Sequence, residues 1–354
     1  MNNNIDYMVI STTKTNSCRL RCPLENSFKE VFISLSDYRN RLFISDDLNK
    51  IIEFYGGFEN RDQLIQWMKE RPKGASYIHE VEGDRDIIVV IPTADFNGKY
   101  ARTCREEIFT GLHMIFVESG ENPDPYFNYA HNCNVGIKKA MDYNPKWIVL
   151  SNDDMYKIDE VSILIDELHK IDPRTINTVY TKTSFYHSIP EAASVPRKST
   201  FFIYKFIRFV YHAIFGWDEY ELVKERIKSK YKIKVKSTNT SKFMDNLFYT
   251  PMHKYILTAA FGIFSPYFIK NNNNILFDET FINGGEDNEL SIRLSKNMEQ
   301  IKTINYRIGD YVGSSLGKKN KSRWYRDVLN QVYLNFLYSH ELNILYFKES
   351  DKKV

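Results

Sequence analysis

Cysteine is scarce in this chain: Cys18, Cys22, Cys104 and Cys133 are the four in 354 residues. Cys18 and Cys22 are spaced to pair or to share a metal, but no second Cys/His pair accompanies them. That argues against zinc and leaves reduced thiols in a cytosolic protein as the reading. Glycine-rich phosphate loops are missing as well. No Gly-x-Gly-x-x-Gly and no Gly-x-x-x-x-Gly-Lys follows the first apolar run, which excludes the dinucleotide fingerprint and the Walker loop. Charge of one sign is also lacking, since the net +3 is too small to imply nucleic acid as a partner. The N-terminus, Met1-Asn2-Asn3-Asn4-Ile5-Asp6, has neither a basic n-region nor an apolar h-region. The expected location is therefore cytoplasmic, with a peripheral contact on the inner face of the membrane considered below.

Apolar and aromatic material is plentiful. Hydrophobic residues make up 43% and the 24 Tyr and 24 Phe help bring aromatics to 15%, ample for a core and for sugar-stacking surfaces. The length suits one large α/β domain with an appendage. Residues 1–83 read as an N-terminal α+β appendage, with a short strand from Val31 to Leu35 and a helix from Asn60 to Glu70, capped by Asn60 and stopped before Pro72. The composition changes at Asp84-Arg85-Asp86. The β-branched run Ile87-Ile88-Val89-Val90-Ile91-Pro92-Thr93 then has the pattern of a central parallel strand. A polar helical stretch over 102–110, a strand His113–Val117, a helix over 128–143 and a strand Trp147–Leu150 follow. This alternation predicts a doubly wound, mostly parallel sheet that binds ligands beyond the carboxyl ends of its strands.

Two acidic clusters stand at the edges of these elements. Ser151-Asn152-Asp153-Asp154 follows the strand at Trp147, so it offers hard oxygen ligands where a divalent cation and a phosphorylated ligand can meet. Gly284-Gly285-Glu286-Asp287-Asn288-Glu289 follows a Gly-Gly bend and opens a helical stretch, supplying a second carboxylate for acid/base work. The plainer reading of Glu286-Asp287 is an N-terminal helix cap favoured by the helix dipole.

From residue 89 to 287 the motifs resemble the family 2 glycosyltransferases of the GT-A fold. Ile91-Pro92-Thr93 looks like the family's opening strand, and Glu118-Ser119-Gly120 stands where it has an acidic residue before Gly and Ser. Asn132-Cys133-Asn134-Val135-Gly136 is similar to its A-R-N-x-G turn and helix. Ser151-Asn152-Asp153-Asp154 is similar to its D-x-D metal motif, with Asn152 in the first position. Thr258-Ala259-Ala260-Phe261-Gly262 looks like its acceptor-side segment. Phe277-Asp278-Glu279-Thr280-Phe281, leading into Gly285-Glu286-Asp287, matches F-D-E-x-F-x-x-x-G-E-D. Asp310 falls in the slot of a family His that precedes G-x-S.

The resemblance implies an inverting, metal-dependent hexosyl- or deoxyhexosyltransferase. Mn²⁺ or Mg²⁺ would rest on Asp154, Asp153, Asn152 and Asp310. Asp287 would be the general base, with Glu286 positioning the acceptor hydroxyl. Pro92, Thr93, Asp95, Glu118, Asn132, Asp153, Lys318 and Arg323 would bind the nucleoside-diphosphate sugar donor, the two basic residues from a mobile loop after Gly313-Ser314-Ser315. The acceptor would be a sugar, a lipid-linked glycan or a glycoprotein. The expected domain spans 84–320, with a donor half over 84–160, an acceptor half over 161–320 and a helical insert at 200–240. A C-terminal helical tail covers 321–354.

The insert is the second informative region. Phe201 to Trp217 is aromatic and apolar, with Lys205, Arg208 and His212 on one stripe, and is slightly short and too polar to span a bilayer. An interfacial helix beside the lysines and arginine between Lys224 and Lys236 is the expectation, against a core helix followed by a solvated basic stretch. Two other functions compete. A sugar-phosphate nucleotidyltransferase would want a basic Gly-rich loop after the first strand, which Thr93-Ala94-Asp95-Phe96-Asn97-Gly98 lacks. A membrane-associated, non-catalytic GT-A-fold adaptor remains open through the Asn152 and Asp310 departures.

Overall fold

The computed structural model describes residues 17–20, 31–119, 124–181, 193–196, 198–216, 219–233, 249–253, 260–311 and 321–338. Two compact units divide at Arg71 and Pro72. The first contains β1 (Ser17–Leu20) paired antiparallel with β2 (Val31–Ser34), followed by α1 (Leu35–Phe43), α2 (Leu48–Gly56) and α3 (Arg61–Glu70). Each helix starts where a side-chain oxygen accepts an orphan backbone N–H: Ser34 from Asp37, Asp47 from Asn49 and Asn60 from Gln63. Their apolar faces meet at Trp67, whose ring lies 4.8 Å from Phe54 and 5.0 Å from Phe43. The indole N–H is satisfied by Asn40 Oδ1 at 3.0 Å.

The second unit holds β3 (Ser76–Val81), β4 (Asp84–Thr93), α4 (Lys99–Thr103), a π-helical turn (Cys104–Ile108), β5 (Leu112–Ser119) and α5 (Tyr129–Met141). It continues with β6 (Trp147–Ser151), β7 (Met155–Lys157), α6 (Val161–His169), β8 (Thr178–Thr181), β9 (Ala193–Pro196), α7 (Lys198–Phe215) and α8 (Glu219–Lys230). Then come β10 (Tyr249–His253), β11 (Phe261–Phe264), α9 (Pro266–Asn271), α10 (Glu286–Leu294), β12 (Ile301–Ile304), β13 (Ile308–Asp310) and α11 (Lys321–Leu337).

Seven strands form the central sheet in the order β12-β8-β11-β6-β4-β5-β3. β4 is parallel to both β5 and β6, and β8 is parallel to β12; only β11 and β3 run against the rest. The unbroken apolar run of β4 has a physical cause, because both sheet faces are covered. Ile87, Val89 and Ile91 pack with Ala101, Cys104, Leu164 and Leu168 on one face. Ile88 and Val90 pack with Cys133, Ile137, Phe268 and Leu290 on the other. The result is a mixed α/β unit with a mostly parallel sheet and helices on both sides, compatible with a doubly wound fold.

Two sequence boundaries shift. β3, read from sequence as part of the appendage, pairs with β5 from Ser76↔Ser119 to Val81↔Met114, so the division falls at Arg71 rather than after residue 83. The helical stretch expected over 102–110 splits into α4 and a π turn closed by Phe109 N–H donating to Cys104 O at 3.0 Å. Glu286 and Asp287 belong to the first turn of α10.

Candidate functional site

Gly136 sets how closely α5 approaches the sheet. A Cβ there would stand 2.4 Å from Val90 Cγ1 and 2.8 Å from Val117 Cγ2, so only glycine lets the helix lie this near β4 and β5. The start of α5 is thereby brought beside the carboxyl ends of β4 and β6, where the first acidic cluster emerges.

At that edge Asp95 N–H donates to Thr93 Oγ1 at 3.3 Å, and the Thr93 hydroxyl donates to Asp153 Oδ2 at 2.7 Å. Burial pushes the Asp153 carboxyl up to about 6, with the neighbouring Asp154 charge adding to the effect and the Thr93 hydrogen bond opposing it. Asp154 is buried, 4% exposed. The Cys104 Sγ, carried by the π turn, donates to Asp153 O at 3.4 Å. Burial raises this thiol far above its ordinary range, so it serves as a neutral prop rather than a nucleophile.

Asp310 is brought to the same place by a two-stranded ribbon. β13 pairs antiparallel with β7, placing Asp310 opposite Met155, and Tyr311 N–H donates to Asp154 O at 2.9 Å. Gly309 makes the pairing feasible, since a Cβ there would fall 2.1 Å from the Tyr156 ring. Asn152 lies at the other end of the cluster. Its N–H donates to Ala260 O at 2.8 Å, which sets the described part of the 258–262 segment beside Ser151.

Tyr129 joins the two acidic clusters. Its hydroxyl donates to Asn152 Oδ1 at 2.8 Å. Burial holds this phenol well above its usual range, and Cys133, Glu286 and Asp287 push in the same direction. The group therefore stays a protonated donor to Asn152, while the Tyr129 backbone N–H donates to Asn283, just ahead of the start of α10. There Gly285, at φ +91°, forms a left-handed N-cap without a side chain of its own. Glu286, 4% exposed, accepts Gly284 N–H at 2.7 Å, and Asp287 accepts Asn288 N–H at 2.8 Å. Only Asp287 thus takes up a first-turn N–H of α10, while Glu286 fastens the glycine ahead of the helix.

Glu118 is placed otherwise than as an open ligand group. One oxygen lies 2.7 Å from His79 Nε2 and the other accepts Phe96 N–H at 3.1 Å. His79 stacks on Phe96 at 4.4 Å, with Arg105 4.4 Å from the same ring. Glu118 thereby braces the 94–98 loop, in which Asp95 Oδ1 accepts Asn97 N–H at 2.9 Å. Pro92 sits inside β4 opposite Val117. Asn132 is fully buried on α5 and accepts from Ser76 Oγ at 2.7 Å; its Nδ2 has no hydrogen-bond acceptor among the described residues. Lys318 lies outside the described residues, as do Thr258, Ala259 and the 313–317 loop; Arg323 falls on α11, with its side chain outside them.

Sequence reading passed over a set of asparagine clamps that hold the loop leading to Glu286. Asn134 Oδ1 accepts Leu276 N–H at 3.0 Å and Phe277 N–H at 3.2 Å, while its Nδ2 donates to Phe277 O at 2.8 Å and Glu279 Oε1 at 3.1 Å. Asn128 caps α5 and donates to Glu279 O and Phe281 O. Asn283 accepts Tyr129 N–H at 2.9 Å and donates to Phe127 O at 2.9 Å. From α11, Asn330 bonds both backbone groups of Ile282, and Tyr333 donates to Asp278 Oδ2 at 2.6 Å. Two motif segments singled out in the sequence, 132–136 and 277–281, are therefore direct neighbours.

No group of three or more His, Cys, Asp or Glu side chains suited to a metal ion occurs among the described residues. Adjacent carboxylates at a strand end do fit Mg²⁺ or Mn²⁺, which are bound through one or two carboxylates plus substrate phosphates rather than in an all-protein cage. The protein environment that raises the Asp153 carboxyl is one a cation would relieve. No family model and no curated protein matches the chain.

Proposed function

We propose that the chain is a GT-A-type glycosyltransferase that moves a sugar from a nucleoside diphosphate to an acceptor hydroxyl with inversion. The observation that carries the reading is Tyr129, whose hydroxyl donates to Asn152 of one acidic cluster and whose backbone N–H donates to Asn283, in the loop that leads into Glu286 and Asp287 of the other. Two carboxylate clusters linked through one neutral, buried tyrosine suit a reaction with a leaving diphosphate at one end and a proton to remove at the other. Asp153 and Asp154 would hold a divalent ion, which when bound supplies Lewis-acid stabilisation of the leaving diphosphate. Thr93 orients Asp153, and the ribbon pairing keeps Asp310 beside the same strand end. Asp287 would take the proton from the acceptor hydroxyl, and Glu286, fastened to Gly284, would fix the direction of that hydroxyl. The Phe96 loop, braced by Glu118 and Arg105, offers a rigid edge for the nucleoside.

Titration calorimetry with nucleoside diphosphates tests this reading. Wild-type protein should bind one of them at least about tenfold more tightly with Mn²⁺ than with EDTA, and Asp154→Ala should abolish the difference while the protein stays folded. Equal affinity with and without metal would overturn it.

A further inference from the structure

We propose that α7 and α8 form a docking surface for an anionic lipid bilayer, a surface that does not depend on the chemistry assigned above. The described apolar side chains of α7 face solvent instead of the core. Phe202 is 78% exposed, Phe206 and Phe209 60% each, Ile214 68%, Ile203 51% and Ile207 47%. At about 100° per residue these six positions sweep an arc of roughly 160°, far wider than a coiled-coil seam. Lys205, Arg208 and His212 fall on the remaining arc. No Asp or Glu occurs in α7, which is followed by Gly216 with φ +82°.

α8 follows directly and is anchored differently. Val223, Ile227 and Tyr231 recur every four residues and are buried, so this segment is fastened to the fold. Arg226, Lys230 and Lys232 stay exposed. From 198 to 236 the sequence carries ten Lys or Arg against four Asp or Glu, an excess of six in a chain whose total is +3. The rest of the protein is therefore net negative, and the excess positive charge is concentrated in the stretch of sequence that contains and directly follows α7.

Those two properties together select the occupant. A polyanion such as nucleic acid would use the lysines but leave exposed phenylalanine and isoleucine side chains in water. A second copy would bury the apolar face but set two cationic segments against each other. An anionic bilayer satisfies both, taking the apolar face to the level of the acyl chains and the cations to the headgroups. No helix among the described residues is long and apolar enough to cross the membrane, so the contact is peripheral.

Co-sedimentation of the full chain with vesicles tests the proposal. Vesicles with about 30% phosphatidylserine should pellet the protein, pure phosphatidylcholine should pellet much less, and about 0.5 M salt should release part of it. The triple variant Phe202→Ser, Phe206→Ser, Phe209→Ser should keep the wild-type melting temperature and partition at least about tenfold more weakly. A second, conservative variant, Phe206→Trp, reports independently of that triple change: its fluorescence should be quenched by lipids brominated in the acyl chain. Absence of both pelleting and quenching would overturn the proposal. So would a dimer in solution that the triple variant dissolves while vesicle binding is nil, which would make the face an interface between copies.

Discussion

Replacing Asn134 by alanine should be among the most damaging single changes at the candidate site, although Asn134 need not touch substrate. Its amide satisfies two backbone N–H groups, of Leu276 and Phe277, and one carbonyl, of Phe277, all three bonds being buried. Asn134 itself is only 6% exposed, so water cannot easily replace what is lost. Each buried polar group left without a partner costs about 1–3 kcal/mol, and partial relaxation of the loop brings the sum to about 3–5 kcal/mol. At about 2–4 °C per kcal/mol for a domain of about 150–250 residues, that corresponds to a fall in melting temperature of about 6–20 °C. Urea or thermal unfolding measures it directly. Asn134→Asp is the informative companion: it keeps the two acceptor bonds but turns a carboxylate oxygen towards Phe277 O and Glu279. It should therefore also destabilise at neutral pH and recover in part on acidification. A loss below about 1 kcal/mol in Asn134→Ala would refute the view that this amide clamps the loop that presents Glu286 and Asp287.

Two further outcomes follow from the site. Asp287→Asn keeps shape but cannot accept a proton, so kcat should fall by about 10²–10⁴-fold with donor affinity near wild type, and the product anomer in the wild-type reaction should be opposite to the donor's. Burial and the adjacent Asp154 raise the Asp153 carboxyl from 3.8 to about 6, so the native state holds this proton more tightly than the unfolded chain does. The metal-free protein should then lose stability as pH climbs from about 4 through about 6, by at most about 3 kcal/mol, and Asp153→Asn should lack that component. Parallel stability curves for the two proteins would exclude it.

The parts of the fold legible in sequence are those whose pattern is local. β4 and β6 are buried on both faces, so their apolar runs are continuous, and α3 carries its own start and stop in Asn60 and Pro72. β3 escaped because its side chains are half-exposed or exposed and its place in the sheet depends on β5 alone. The β7–β13 ribbon is three residues a side and rests on Gly309 fitting against Tyr156, a relation no window of sequence contains. At the site, the acidic clusters stood out because they are short and dense. The asparagine clamps did not, since Asn134 and Leu276 are 142 residues apart and Tyr129 and Asn283 are 154 apart. Glu118 was read from sequence as a donor-binding carboxylate, and what its oxygens hold is His79 and the Phe96 loop.

The clamp at Asn283 has a consequence for the protein's lifetime. Asn283 is followed directly by Gly284, and both lie at positive φ, 46° and 157°. An asparagine before glycine is the peptide sequence most prone to lose ammonia, because no side chain shields the next backbone nitrogen from cyclising onto the amide, and asparagine is among the thermolabile residues. The fold delays that step while Asn283 Nδ2 is held by Phe127 O and Oδ1 by Tyr129 N–H. Once the loop opens in the warm, cyclisation and hydrolysis would leave an aspartate or isoaspartate. A carboxylate oxygen would then face the Phe127 carbonyl, and the loop could not reclose as before. Storage and heating would thus write an irreversible chemical record into the segment that presents Glu286 and Asp287, one a peptide map can read as a gain of about 1 Da.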